Sequence, residues 1–180
     1  MRCDWRIAIE NALEDVHVPH VHKDSLARLG LRIREMTRYG NNSVAIYDIT
    51  DKRSLRGLHA LSRFFVVSDP GTYYHEFYYP NKCISSVSGF TFSHQTYIPL
   101  FNGHTSLVTE LHSADMVEGA PELTWFFDNA AKFNKQVFEE DARMCERVHI
   151  RGLKGNVSPA LRRLAWFTEA LNESEFVPGS

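Results

Sequence analysis

Glu10-Asn11-Ala12-Leu13-Glu14-Asp15-Val16-His17-Val18-Pro19-His20-Val21-His22 places two histidines, His17 and His22, with four residues between them, just after two acids. Trp5, Ala8 or Ile9, Ala12 or Leu13, and Val16 recur at three- and four-residue steps, which predicts a helix from Asp4 to about Val16 with one buried face. Asp4 is its expected N-cap. Pro19 lacks a backbone donor and biases Val18 toward extended backbone, so the helix should stop near His17 and leave His22 on the outgoing turn. Neutral imidazoles bind divalent metals, and two of them across a helix end can reach one ion from adjacent corners. The alternative use of such a run is a hydrated or capping cluster, and a third ligand decides between the two.

A third ligand is available in the other strongly helical segment, Ala130 to Val148. Phe133, Val137, Met144, Cys145 and Val148 fall on one stripe of roughly 120°, and Asp141 projects into its middle while Glu140 falls outside its edge. A carboxylate aimed at a core is costly unless it is paired or bound to a cation, so Asp141 needs a partner, either a buried arginine, a backbone cap or a metal. Two histidines and one carboxylate with open positions form the facial arrangement of non-haem iron(II) oxygenases.

Asp4-Trp5-Arg6, Glu10-Asn11, Glu14 and the His17/His22 pair, followed by Phe133-Asn134-Lys135-Gln136-Val137, Glu140-Asp141 and Cys145-Glu146, resemble the catalytic domain of the Rieske non-haem iron oxygenases. These are the ring-hydroxylating dioxygenase alpha subunits and their monooxygenase and demethylase relatives. Tyr79-Pro80-Asn81 and Ser88-Gly89-Phe90 belong to the same resemblance, which runs over nearly the whole chain. It implies that His17, His22 and Asp141 bind mononuclear Fe(2+). It also implies that Glu14, with Asp15 as second choice, relays electrons from a neighbouring Rieske cluster. His20 matches no ligand position. The implied fold is α+β, a helix-grip antiparallel sheet in which a long helix closes a deep pocket. The implied activity is oxygenation: O2 is activated to hydroxylate or dealkylate an aromatic or amine substrate, as in aromatic hydrocarbon catabolism, in subunits that can form a homotrimer.

Cys3, Cys83 and Cys145 offer neither the Cys-x-His nor the Cys-x2-His pair that holds a [2Fe-2S] cluster. The chain therefore reads as a single catalytic domain, residues 1–180, with no Rieske domain. The [2Fe-2S] cluster is then expected on a partner protein, a separate Rieske or ferredoxin donor served by a reductase. A stand-alone subunit, a fragment and an inactive relative all fit that reading.

Composition fits a globular interior large enough for a pocket, with 43% hydrophobic and 12% aromatic residues among 180. A net charge of -2 gives no reason to expect nucleic acid or an anionic membrane. Three cysteines suit a reducing cytoplasm better than a disulfide framework. Arg2, Asp4, Arg6 and Glu10 break up the N-terminus, so neither a signal peptide nor a membrane span is expected.

Between the two helices the chain reads mostly as strand. Lys23 to Ser43 is charged and ends in Gly40-Asn41-Asn42, and is expected to be a mobile loop. Ser43–Ile49 alternates, with Val44, Ile46 and Asp48 on one side. Lys52–Phe65 has leucines at helical steps, and Ser68-Asp69-Pro70-Gly71 is a turn. The aromatic run Thr72–Tyr79 favours strand, with some of its rings able to line a cavity. Ile84–Phe92, His94–Phe101 and Thr105–His112 read as further strands, Asn102-Gly103 as a hairpin turn, and Leu123–Phe127 as one more strand before the Asp141 helix. His94 or His112 is a further candidate for the pocket. Gly152–Gly155 reads as a flexible link, Ser158-Pro159 as the start of a last helix with Leu161, Leu164, Ala165, Phe167 or Thr168, and Leu171 inward, and Glu173–Ser180 as a frayed end. Two other functional readings fit the residues: a helix-grip ligand-binding module without catalysis, and a hydrolytic zinc site built on the same three ligands.

Overall fold

The computed structural model describes residues 1–67, 69–151 and 162–175. Six antiparallel strands lie side by side in chain order: β1 (Leu31–Tyr39), β2 (Asn42–Ile49), β3 (Thr72–Tyr78), β4 (Lys82–Val87), β5 (Thr91–Leu100) and β6 (His104–Ser113). Helices α1 (Trp5–Leu13) and α2 (Val18–Val21) precede the sheet, α3 (Lys52–Ser62) interrupts it, and α4 (Thr124–Arg151) and α5 (Arg162–Glu175) follow it. This is the expected α+β class, with the long helix gripping one face of the sheet.

The face that α1, α4 and α5 cover is set by register. Ser43, Ala45, Tyr47 and Ile49 alternate as the buried side of β2, and cross-strand pairing carries that side across the sheet: Ala45 opposes His75, His75 opposes Ser85, and Phe77 opposes Cys83. Cys3, Ile9, Leu13, Phe77, Tyr97, Cys145 and Phe167 fill the space between this face and the three helices. A second cluster, Phe65, Phe90 and Leu123, sits where α3 and the start of α4 meet the sheet. Between the two clusters the inner face turns polar and aromatic, and there a cavity of about 560 Å³ opens.

The expected first helix starts where predicted, with the Asp4 carboxylate accepting from the Arg6 N–H, but it ends at Leu13 rather than Val16. Glu14 leaves the helix in extended backbone, and His17 begins the one-turn α2, whose first turn contains Pro19. Lys23–Ser43 is no mobile loop: a 3-10 turn at Leu26–Leu29 leads into β1, an edge strand bulged between Ile33 and Glu35. An edge strand needs only one partner and shows charges to solvent, so its alternation was masked. Ile84–Phe92 is not one strand. Ser88 and Gly89 both take positive φ, 58° and 72°, and turn the chain between β4 and β5. Leu123–Phe127 is not a strand either, because the helix begins at Thr124. Leu58 of α3 reaches the cavity wall. Of the ring cluster Tyr73, Tyr74, Phe77, Tyr78 and Tyr79, Tyr73 lines the cavity and the others do not. The hairpin at Asn102-Gly103 has its two positive-φ residues. Gly152–Gly155, Ser158-Pro159 and Leu161 lie outside the described residues, as do Ser68 and positions 176–180. No described helix is long and apolar enough to cross a membrane.

Candidate metal centre

Non-covalent constraint begins outside the two rings. Glu14, released from α1 by its extended backbone, turns back so that one carboxylate oxygen accepts from the N–H groups of Val16 (2.6 Å) and His17 (3.2 Å) and the other meets His17 Nδ1 at 2.5 Å. The second ring is held in the same way from α4, where Glu140 meets His22 Nδ1 at 2.7 Å and also accepts from Ser25 Oγ at 2.6 Å and from Gln136. A carboxylate on each Nδ1 keeps the proton there and leaves each Nε2 lone pair directed away from it.

Both Nε2 atoms point to one place. They are 3.1 Å apart, and Asp141 Oδ1 lies 3.0 Å from His22 Nε2 and 3.4 Å from His17 Nε2. His17 and His22 are buried. These three residues form the group of donors among the described residues that could share a metal ion. Separations of this size are what three donors at about 2.1 Å from a common centre show when they subtend angles of about 90–110°, so the residues present fit a divalent ion on a facial cap. Asn11, one turn before Glu14, donates from Nδ2 to Asp141 Oδ1 at 2.8 Å, and its own Oδ1 is buried without a partner. An orphaned buried acceptor beside a carboxylate and two imidazoles suits a site completed by a bound group.

Two carboxylates meet His17 and favour its protonated form when no metal is bound. Burial opposes charge on His17, but hydrogen bonds that its ring donates to the Asp141 and Glu14 carboxylates outweigh it and raise the pKa to about 9. Burial likewise opposes charge on Asp141, yet the two imidazoles bring it down to about 2. His22 is raised against the same burial. Because His17 sits above its ordinary value of 6.5, the stability it contributes is complete below pH 6.5 and is lost as pH rises through about 9. Asp141 contributes above 3.8 and loses that contribution as pH falls toward 2. Thermal melting of metal-free protein is therefore expected to fall by several degrees between about pH 7 and pH 9.5, and a flat profile there would exclude a protonated pair.

Asp15 also faces the cavity, and burial pushes its carboxyl above the usual range, but it is Glu14 that touches the imidazole. His20 is exposed. His94 and His112 pack against each other with their rings tilted by 56°, centroids 4.8 Å apart, and neither lines the cavity. Glu140 was placed outside the apolar stripe by its angle on the helix, yet its longer side chain swings back to His22. Its one available signal was position, immediately before a core-facing aspartate.

A deep cavity gripped by a long helix, with two imidazoles and a carboxylate meeting beside it, defines a helix-grip domain with a three-donor cluster. The chain belongs to the family described as ring hydroxylating alpha subunit (catalytic domain), whose sequence pattern matches residues 1–170. Among solved structures it is similar to the quaternary ammonium Rieske monooxygenase CntA in complex with an inhibitor, at 14% identity and TM-score 0.69, covering 94% of this chain and 45% of that one. The same monooxygenase in complex with L-carnitine gives 15% identity and TM-score 0.64 over 94% and 45%. Dicamba monooxygenase bound to 3,6-dichlorosalicylic acid gives 13% and 0.57 over 96% and 56%. At these identities the likeness is one of fold, and the chain spans about half the length of the solved proteins it matches. No curated protein sequence matches it.

Proposed function

We propose that this chain is the catalytic part of a mononuclear non-haem iron oxygenase, with His17, His22 and Asp141 holding Fe(2+). The observation that carries the reading is the division of labour on each imidazole: Nδ1 tied to a carboxylate, Nε2 turned to a point shared with Asp141. Iron held there would supply the one-electron chemistry that activates dioxygen. The protein's part is to hold the two rings in one tautomer, to keep Asp141 ionised through Asn11 and the rings, and to exclude water from the cavity.

Tyr47, Tyr73, Phe90, Phe126 and Phe133 line that cavity. Aromatic walls suit a ring or, by cation–π contact, an amine, and the solved neighbours are named for quaternary ammonium compounds and dicamba. Electrons come from a separate Rieske [2Fe-2S] donor and its reductase, arriving on the side of Glu14, which touches His17 and lies near the surface with 13% of its side chain exposed. This reading places the protein in the cytoplasm. Protein purified without oxygen should contain about one iron per chain and consume O2 when donor, reductase and substrate are supplied. Failure to bind iron on anaerobic reconstitution overturns it.

A further inference from the structure

The cavity that His17 and Asp141 line also holds a buried cation. Arg163 enters from α5 and is 1% exposed. Its Nε donates to Ser43 Oγ at 2.9 Å and its Nη1 to His75 Nδ1 at 2.8 Å, while Nη2 reaches the Ser43 carbonyl only at 3.5 Å. A guanidinium offers five N–H groups, so at least two are left without an acceptor among the described residues. Among the described residues no carboxylate is ion-paired with it. Asp15 is near enough to feel its charge, but the two make no ion pair.

A buried charge without a counter-ion is strongly unfavourable, and burial duly lowers the Arg163 pKa. Pinning α5 to the sheet would not require it, since an apolar side chain of similar volume would pack there more favourably. His75 completes the feature. Its Nδ1 accepts from Arg163, so its proton is on Nε2. Burial, with the neighbouring guanidinium, pushes its pKa well down and keeps the ring neutral. Both side chains line the same cavity as His17 and Asp141.

We infer that Arg163 and His75 form a subsite for a carboxylate group of the ligand, and that the ligand is a small organic acid. The spare guanidinium N–H groups are preorganised for a carboxylate, and the His75 Nε2–H is a neutral donor to the same anion. The anion would supply the missing counter-charge while the rest of the molecule lies among the tyrosines toward the histidine pair. The inference deepens the oxygenase reading by naming a substrate class and rests on it for what is done to that substrate, but the subsite itself does not depend on iron.

Calorimetric titration of the full chain, both iron-loaded and metal-free, with benzoate against benzamide and butyrate against butyramide tests it. Each acid should bind about tenfold or more tightly than its amide, in the metal-free protein as well. Arg163→Met should abolish the preference while leaving amide binding unchanged. His75→Phe, which leaves the guanidinium in place, should reduce the preference by about threefold to tenfold, and it serves as the test if Arg163→Met does not fold. Equal binding of acid and amide, a preference that survives both substitutions, a preference confined to iron-loaded protein, or no binding of either acid at tens of millimolar overturns the inference. An acid preference in wild-type protein that takes up no iron would retain the subsite and sink the oxygenase reading instead. Iron at full occupancy with no acid preference would do the reverse.

Discussion

Asp141→Ala is expected to weaken iron binding by more than about 100-fold and to abolish oxygen consumption. Asp141 is the donor that α4 supplies to the proposed site, and its Oδ1 sits within 3.4 Å of both Nε2 atoms. Without it the imidazoles remain tethered through Glu14 and Glu140, so the protein keeps a two-donor site that binds first-row metals weakly. It also loses one of the two carboxylates that raise His17, the other being Glu14. Its metal-free melting curve should therefore show a weaker pH dependence than that of the wild type, a second measurement that separates loss of a ligand from general damage. Iron occupancy equal to wild type in competition with a fixed concentration of chelator would remove Asp141 from the site.

Glu14→Gln is the second large effect expected, about 10- to 100-fold on donor-dependent turnover. The carboxylate does two things at once: it receives two backbone N–H groups that shape the turn after α1, and it holds His17 Nδ1. The amide can keep the backbone contacts while losing the charge that faces an incoming donor. Iron should then bind at saturating metal while electron delivery slows. A stopped-flow measurement with reduced donor reads that step directly. Wild-type rates with the physiological donor would refute the relay, and slow rates that a small chemical reductant restores would support it. Glu14→Ala removes the turn contacts too, so it confounds the two roles.

How much of this was legible depends on what each residue had to contrast with. The cap at Asp4 and the hairpin at Asn102-Gly103 are local devices, each acting within a few residues, and they read correctly. Pro19 is not the stop: the first helix has already ended at Leu13, and the proline sits in the first turn of α2, where its missing N–H costs nothing. The stripe that put Asp141 in the core of α4 also read correctly, because a 28-residue helix gives its period many repeats. Leu123–Phe127 misled because aromatic residues favour strands, whereas here Phe126 and Phe127 turn toward Phe65 as the first turns of a helix. The strand Leu31–Tyr39 was hidden by arginines that an edge position tolerates, several of them in ion pairs with Asp48 and Asp69. Arg163 and His75 were invisible for a different reason. An arginine on an amphipathic helix ordinarily faces water, and its burial depends on a serine and a histidine far away in the chain.

The meandering sheet and the distribution of the metal-site residues have a consequence for biosynthesis. Each strand pairs with the one made just before it, so the sheet can grow hairpin by hairpin as the polypeptide leaves the ribosome. His22 and Asp141 are separated by 119 positions, and the imidazoles are translated long before their carboxylate. Any ion captured by the nascent chain would be held by nitrogen alone, in competition with zinc and copper, which imidazole also suits. On the proposed iron reading, the full donor set exists only once synthesis has passed the long helix, so metal availability at that moment, rather than during elongation, would decide what the finished protein carries.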